Sequence, residues 1–294
     1  MSDARDLSLA DGSTLQYLLD EDAPAGAGLL VFHHGTPAAG PLDPDLVAPA
    51  RAAGLQLVEL VRPGYGGSTR LPGRSVADVA GMTAALADHL GHQRFVTLGW
   101  SGGGPHALAT AALAPDRCAG AISLAGVAPY DAEGLDYLAG MGEDNIEEFG
   151  AAVEGEAALQ AFLEGAASVL ADVTGDDVID AMASLLPEVD RAFLTGESAD
   201  RMAETFRWAV ASGIWGWFDD DIAFVRPWGF DLDSIAVPVQ VWQGSDDLMV
   251  PFAHGQWLAA HVPGATADLV QGEGHLSMVR RIGDGMQALR EQLA

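Results

Sequence analysis

The sequence contains no lysine. All fourteen basic residues are arginine, they face 42 acids, and the formal net charge is −28. Phosphate binding needs clustered positive charge, so this balance argues against nucleic acid as a partner. Cysteine is nearly absent as well. Cys118 on its own can make neither an internal disulfide nor a cysteine zinc site, and it is expected to be a buried, inert thiol. No run approaches the roughly 18 uninterrupted apolar residues that a membrane-spanning helix needs. The opening MSDARDLSLADG lacks a charged-then-apolar leader, so the expectation is a cytoplasmic protein without a membrane partner.

What is present is apolar material: 49% of 294 residues are hydrophobic, ample for a large core in one big domain or two modest ones. Residues 6–19 alternate roughly around Asp11-Gly12, which predicts a hairpin. Three apolar runs ending in glycine-rich turns follow, GLLVFHHGTP (28–37), LQLVELVRPGYGGS (55–68) and RFVTLGWSGGG (94–104). Each precedes a plausible helix, the pattern of a parallel sheet covered on both faces. In the helix expected over 76–90, Val76, Val79, Met82, Leu86 and Leu90 form one face while Asp78 and Asp88 stay wet. AGAISLAGV (119–127) reads as the next strand.

From 131 to 231 the strand signals vanish, and 23 acids stand against 4 arginines, a net of −19. Leu159, Phe162, Leu163, Ala166 and Leu170 make an apolar helical stripe among those acids. Strand-then-turn rhythm returns in VPVQVWQGSDD (237–247) and ATADLVQGEGH (265–275), and a helix closes the chain. The expected organisation is therefore an α/β core of residues 1–130 and 232–294, split by an all-helical insertion at 131–231.

Gly99-Trp100-Ser101-Gly102-Gly103 fits G-x-S-x-G, in which a sharp strand-to-helix turn exposes a serine and needs small neighbours. In so glycine-rich a chain, composition alone yields roughly 0.2 chance matches, so context decides. An apolar strand precedes Ser101, and a helix starts at Pro105, its positive end favouring a developing negative charge. A serine hydroxyl needs a base, usually a histidine oriented by a carboxylate. Ser245-Asp246-Asp247 follows the strand VQVW and His275 follows DLV, so an acid and a histidine fall at strand ends that share one sheet edge, in the order Ser, Asp, His.

With HHGTP, RPGYGGS, GWSGGG and the pair GSDDLMVP and GEGHLS in this order, the chain resembles the α/β-hydrolase superfamily over nearly its full length. The resemblance implies a mostly parallel central sheet flanked by helices, with the insertion as a helical cap. It makes Ser101 the nucleophile, His275 the base and Asp247 the orienting acid, with Asp246 and then Asp131 as alternatives. The backbone N–H groups of Thr36 and Gly102 become the oxyanion donors, leaving the Thr36 side chain dispensable unless its hydroxyl also helps. Relatives often carry aspartate where Arg62 stands.

His34, Trp100, Trp215, Trp217 and Trp228 are candidates for the substrate pocket, the cap tryptophans equally for a small core of their own. His33 and His34 lack a nearby third ligand, so no metal and no cofactor is expected. Asp219-Asp220-Asp221 is expected to be a solvated turn, the alternative being a lure for a cationic substrate group. The leading expectation is a cofactor-independent esterase acting on a neutral, fairly hydrophobic small molecule. The alternatives are a proline iminopeptidase-like aminopeptidase using the acidic cap, a cofactor-free perhydrolase, and a non-catalytic small-molecule receptor. Dehalogenase and epoxide hydrolase readings are disfavoured because such relatives use aspartate where Ser101 stands. Monomer and homo-oligomer are both left open.

Overall fold

In a computed structural model, which describes residues 4–294, the alternation around Asp11-Gly12 becomes a hairpin of β1 (Arg5–Ser8) and β2 (Thr14–Leu19). The apolar runs become β3 (Gly28–His33), β4 (Leu55–Leu60), β5 (Phe95–Trp100) and β6 (Cys118–Leu124), and the later pair becomes β7 (Val239–Gly244) and β8 (Thr266–Val270). They form one sheet in the order β1-β2-β4-β3-β5-β6-β7-β8, antiparallel at β1-β2-β4 and parallel from β4 onward. Leu29, Leu30 and Val31 of β3 have no exposed surface, because helices cover both faces of the inner strands. Cys118 is buried at the start of β6, and burial pushes its thiol up to about 12, so it carries no thiolate at neutral pH.

One face carries α1 (Pro44–Ala52) and α11 (Ile282–Glu291), whose Leu46, Ala50, Ile282 and Met286 pack with Leu30, Leu57 and Leu98. The other carries α2 (Asp78–His89), α3 (Gly104–Leu113) and α10 (Phe252–His261), through Val79, Leu86, Leu108 and Leu258. In α2 the apolar side is Val79, Ala80, Leu86 and Ala87, with Asp78 and Asp88 exposed as their spacing predicts. Because the chain leaves β3 toward β4 and then returns past it to β5, the C-terminal ends of β3 and β5 flank a switch point, where a parallel sheet opens a crevice.

Between β6 and β7 lie α4 (Glu143–Glu154), α5 (Glu156–Leu170), α6 (Gly175–Ala181), α7 (Glu188–Phe193), α8 (Glu197–Val210) and α9 (Trp215–Phe224), with no strand among them. The α5 stripe packs as its periodicity requires, Leu159 and Leu163 buried and Phe162, Ala166 and Leu170 partly so. Among the described residues no helix is long and apolar enough to cross a membrane.

Candidate active site

Ser101 directly follows β5 with φ 56°, in the left-handed region that a serine seldom occupies. Its neighbours make that turn possible. A side chain on Gly99 would overlap the Gly103 carbonyl, and one on Gly103 would overlap the His33 carbonyl, so glycine is required at both by close backbone approach. Ser101–Gly103 form one 3-10 turn that runs into α3, directing helix N–H groups at the space beside the serine.

The loops after β7 and β8 bring Asp247 and His275 together: Nδ1 of His275 donates to Oδ2 of Asp247 at 2.8 Å. Asp247 is buried, and its other oxygen accepts from the N–H groups of Met249 and Val250, both at 2.8 Å. Asp246 is exposed and accepts from the Ser245 hydroxyl instead, and Asp131 is exposed. Burial opposes a charge on His275, but the Asp247 carboxylate outweighs it, so the imidazole pKa lies above the ordinary value. Two supports of this pair have no signature in the sequence. Gln243 donates Nε2 to Asp247 at 2.8 Å, and Asp190 of α7 accepts from the backbone N–H groups of His275 (2.7 Å), Leu276 (3.1 Å) and Ser277 (2.9 Å).

Thr36 and Gly102 are brought into contact from the ends of β3 and β5, so closely that a side chain on Gly102 would overlap the Thr36 hydroxyl. That hydroxyl is engaged rather than dispensable: it donates to Asp220 at 2.8 Å and accepts from Arg62 at 2.9 Å. Arg62, fully buried, also donates to the carbonyls of His34 and Gly35 and pairs with Asp220 at 2.6 Å, so its guanidinium holds the whole 34–36 loop. His34 completes the loop, Nδ1 donating to the Gly35 carbonyl at 2.8 Å and Nε2 accepting from the Arg62 N–H at 3.2 Å.

The expectation of a solvated Asp219-Asp220-Asp221 turn is overturned, since all three lie buried within α9. Three arginines of the β4–α2 connection explain the burial of Asp219 and Asp220. Arg70 makes a bidentate pair with Asp219 (2.8 and 2.9 Å), while Arg62 and Arg74 both grip Asp220, which also accepts from the Tyr65 hydroxyl at 2.9 Å. Burial works against ionising Asp220, yet the two guanidiniums keep its carboxyl well below the ordinary range. His106 Nε2 lies 3.6 Å from Asp220, and burial pushes this histidine down to about 4, leaving it neutral.

Ser101, Gly102, Thr36 and His275 line one cavity of about 650 Å³, and so do His34, Trp100 and Trp217. Trp100 stacks beside His275 with ring centroids 6.2 Å apart. Trp215 and Trp228 do not line it, contrary to expectation. Trp215 turns outward under the Arg70 guanidinium, 3.9 Å from its ring centre, and Trp228 is buried beside Phe230 in the core.

A family model described as alpha/beta hydrolase fold matches residues 28–280. The chain belongs to the α/β-hydrolase fold family. No curated protein matches its sequence. Among solved structures, an α/β-hydrolase fold protein from Nakamurella multipartita is 24% identical with a TM-score of 0.67, each chain covered to 99%. An esterase from Rhodococcus sp. ECU1013 is 20% identical with a TM-score of 0.66, both chains covered in full. A carboxylesterase from Bacillus subtilis is 18% identical with a TM-score of 0.62, covering 100% of this chain and 92% of its own. At these identities the likeness is one of fold.

In this α/β-hydrolase the Asp220 cluster should dominate over any surface pair. Asp220→Ala leaves two buried guanidiniums without their counter-ion and should cost about 3–5 kcal/mol in urea unfolding. Glu156→Gln, which removes the exposed partner of Arg226, should cost about 0.5 kcal/mol or less.

Proposed function

We propose that the protein is a serine hydrolase that cleaves carboxylic esters through an acyl-enzyme. The observation that carries this reading is the 2.8 Å His275–Asp247 pair at the same cavity as a serine held in a left-handed elbow. The Ser101 hydroxyl attacks the ester carbonyl while Nε2 of His275 takes its proton. The carbonyl oxygen, now negative, lies between the N–H groups of Thr36 and Gly102, where fixed dipoles stabilise it without reorganisation. Collapse expels the alcohol, which receives the proton from His275, and a water deprotonated by the same imidazole then releases the acid. Asp247 holds His275 in the tautomer with its proton on Nδ1 and stabilises the imidazolium. The helices of residues 131–231 act as a cap whose apolar side chains favour a substrate with a substantial hydrophobic part. A fold shared with esterases supports the reading.

A fluorophosphonate probe should label the wild-type protein and not Ser101→Ala, and the variant should lose hydrolysis of p-nitrophenyl acetate. Labelling that persists in the variant would remove Ser101 from the reaction.

The base works only when neutral, and the raised pKa of His275 means that it protonates before an ordinary histidine does as pH falls. The acid limb of kcat/KM should therefore lie above 6.5, the usual imidazole value. In Asp247→Asn the chief stabilising carboxylate is gone and burial, opposed only by the weaker influence of Asp190, lowers the imidazole pKa, so residual activity should persist to lower pH. A limb that does not move between the two proteins would contradict the pairing.

A further inference from the structure

Glu148 of α4 and Asp221 of α9 both line the cavity and have no part in the chemistry above. Glu148 is part-buried, its Oε1 accepting from the Trp217 indole at 2.7 Å. Asp221 has no exposed surface, and among the described residues neither of its oxygens accepts a hydrogen bond from a fixed donor. Its polar neighbour is the Glu148 carboxyl itself. A buried carboxylate without donors is costly, and two facing each other are costlier, so the pair is incomplete without a positive or proton-bearing group between or in front of them.

The rest of the lining says which. Seven acids line the cavity against one arginine, Arg201, which Asp45 already holds at 2.7 Å. An anion finds no free guanidinium in this lining, while a cation finds carboxyls that lack a counter-ion. The walls beyond the acids are apolar, Phe149, Phe162, Leu170 and Phe206 among them, so the cation must be carried on a hydrophobic body. Its position is also set. Phe224, three residues after Asp221 on the same face of α9, comes to 3.0 Å from where a Gly102 side chain would begin. α9 therefore packs against the elbow, and the acid pair lines the same cavity as Ser101.

We propose that Glu148 and Asp221 form a subsite for a primary or secondary ammonium group on a hydrophobic ligand, in the cavity that Ser101 also lines. The ligand is a substrate only if the ester hydrolase reading holds, and the expectation of a neutral substrate is then replaced by one of an amine-bearing ester. The subsite itself does not depend on that reading. Occupation is tied to protonation. Burial pushes Glu148 up to about 7, and burial with Glu148 nearby raises Asp221 well above the ordinary carboxylate range. Asp144, Asp220, Arg74, Tyr137 and Tyr65 face the pair, and Arg74, on Asp221, and the Trp217 indole, on Glu148, favour its charge. At pH 8 Glu148 is ionised and receives the ammonium, whereas at pH 5.5 a proton occupies that place.

Benzylammonium and benzyl alcohol, alike in shape and neither an ester, test this by calorimetry on the wild-type protein whether or not it hydrolyses anything. At pH 8 the amine should bind at least tenfold more tightly than the alcohol, and at pH 5.5 that preference should shrink at least fivefold. Glu148→Gln and Asp221→Asn should each reduce amine affinity about tenfold, with melting temperature and alcohol affinity reporting that the cavity persists. Equal affinities for the two ligands on wild-type protein, or a preference that survives in both variants, would overturn the proposal.

Discussion

A carboxylate with no exposed surface, Asp220, sits between the guanidiniums of Arg62 and Arg74, and the geometry around Ser101 depends on it. Each of these charges is too costly to bury alone, so the three are stable only together, which fixes α9 against the loops that follow β3 and β4. The same Arg62 that neutralises Asp220 reaches the carbonyls of His34 and Gly35 and the hydroxyl of Thr36. The oxyanion donors of the proposed reaction are thus held by an ion cluster rather than by the strand end alone. Asp190 does the same for the other side of the site, gathering three successive N–H groups at 275–277. Both carboxylates come from the helices between β6 and β7, so that segment helps to shape the candidate site.

Strands, their order of appearance and the helical segment were legible because each rests on local periodicity: three apolar residues in a row for a strand covered on both faces, a four-residue repeat for α2 and α5. The gathering of Ser101, Asp247 and His275 at one sheet edge was legible because turn chemistry places them at strand ends. Asp190, Gln243 and the Asp220 cluster were not. Asp220 meets Arg62 across 158 positions, and no local rule pairs residues so far apart. A compositional hint did exist, since Arg62, Arg70 and Arg74 concentrate three of the chain's fourteen basic residues in thirteen positions. In a chain so acidic, a basic cluster beside a glycine-rich turn marks where buried acids will go. Trp215 and Trp228 misled for a related reason, because aromatic density tells that surface is buried or stacked without telling on which side.

The acidity of the chain divides into two kinds. Most of it is solvated charge, while a minority of acids is buried at or near the site, among them the aspartates Asp190, Asp219, Asp220, Asp221 and Asp247. Four of these five are neutralised by arginine or held by N–H groups, which leaves Asp221, facing Glu148, as the one of the five that no fixed donor among the described residues satisfies.

If loops held by the helical segment set the catalytic geometry, the test is Asp190→Asn, nearly identical in shape. The amide must turn its NH₂ toward either the His275 N–H or the N–H groups of Leu276 and Ser277, so one donor faces another and the histidine shifts. On p-nitrophenyl butyrate kcat should fall at least tenfold while KM stays within about twofold, because the cavity wall is unchanged. A variant with wild-type kcat would contradict the account.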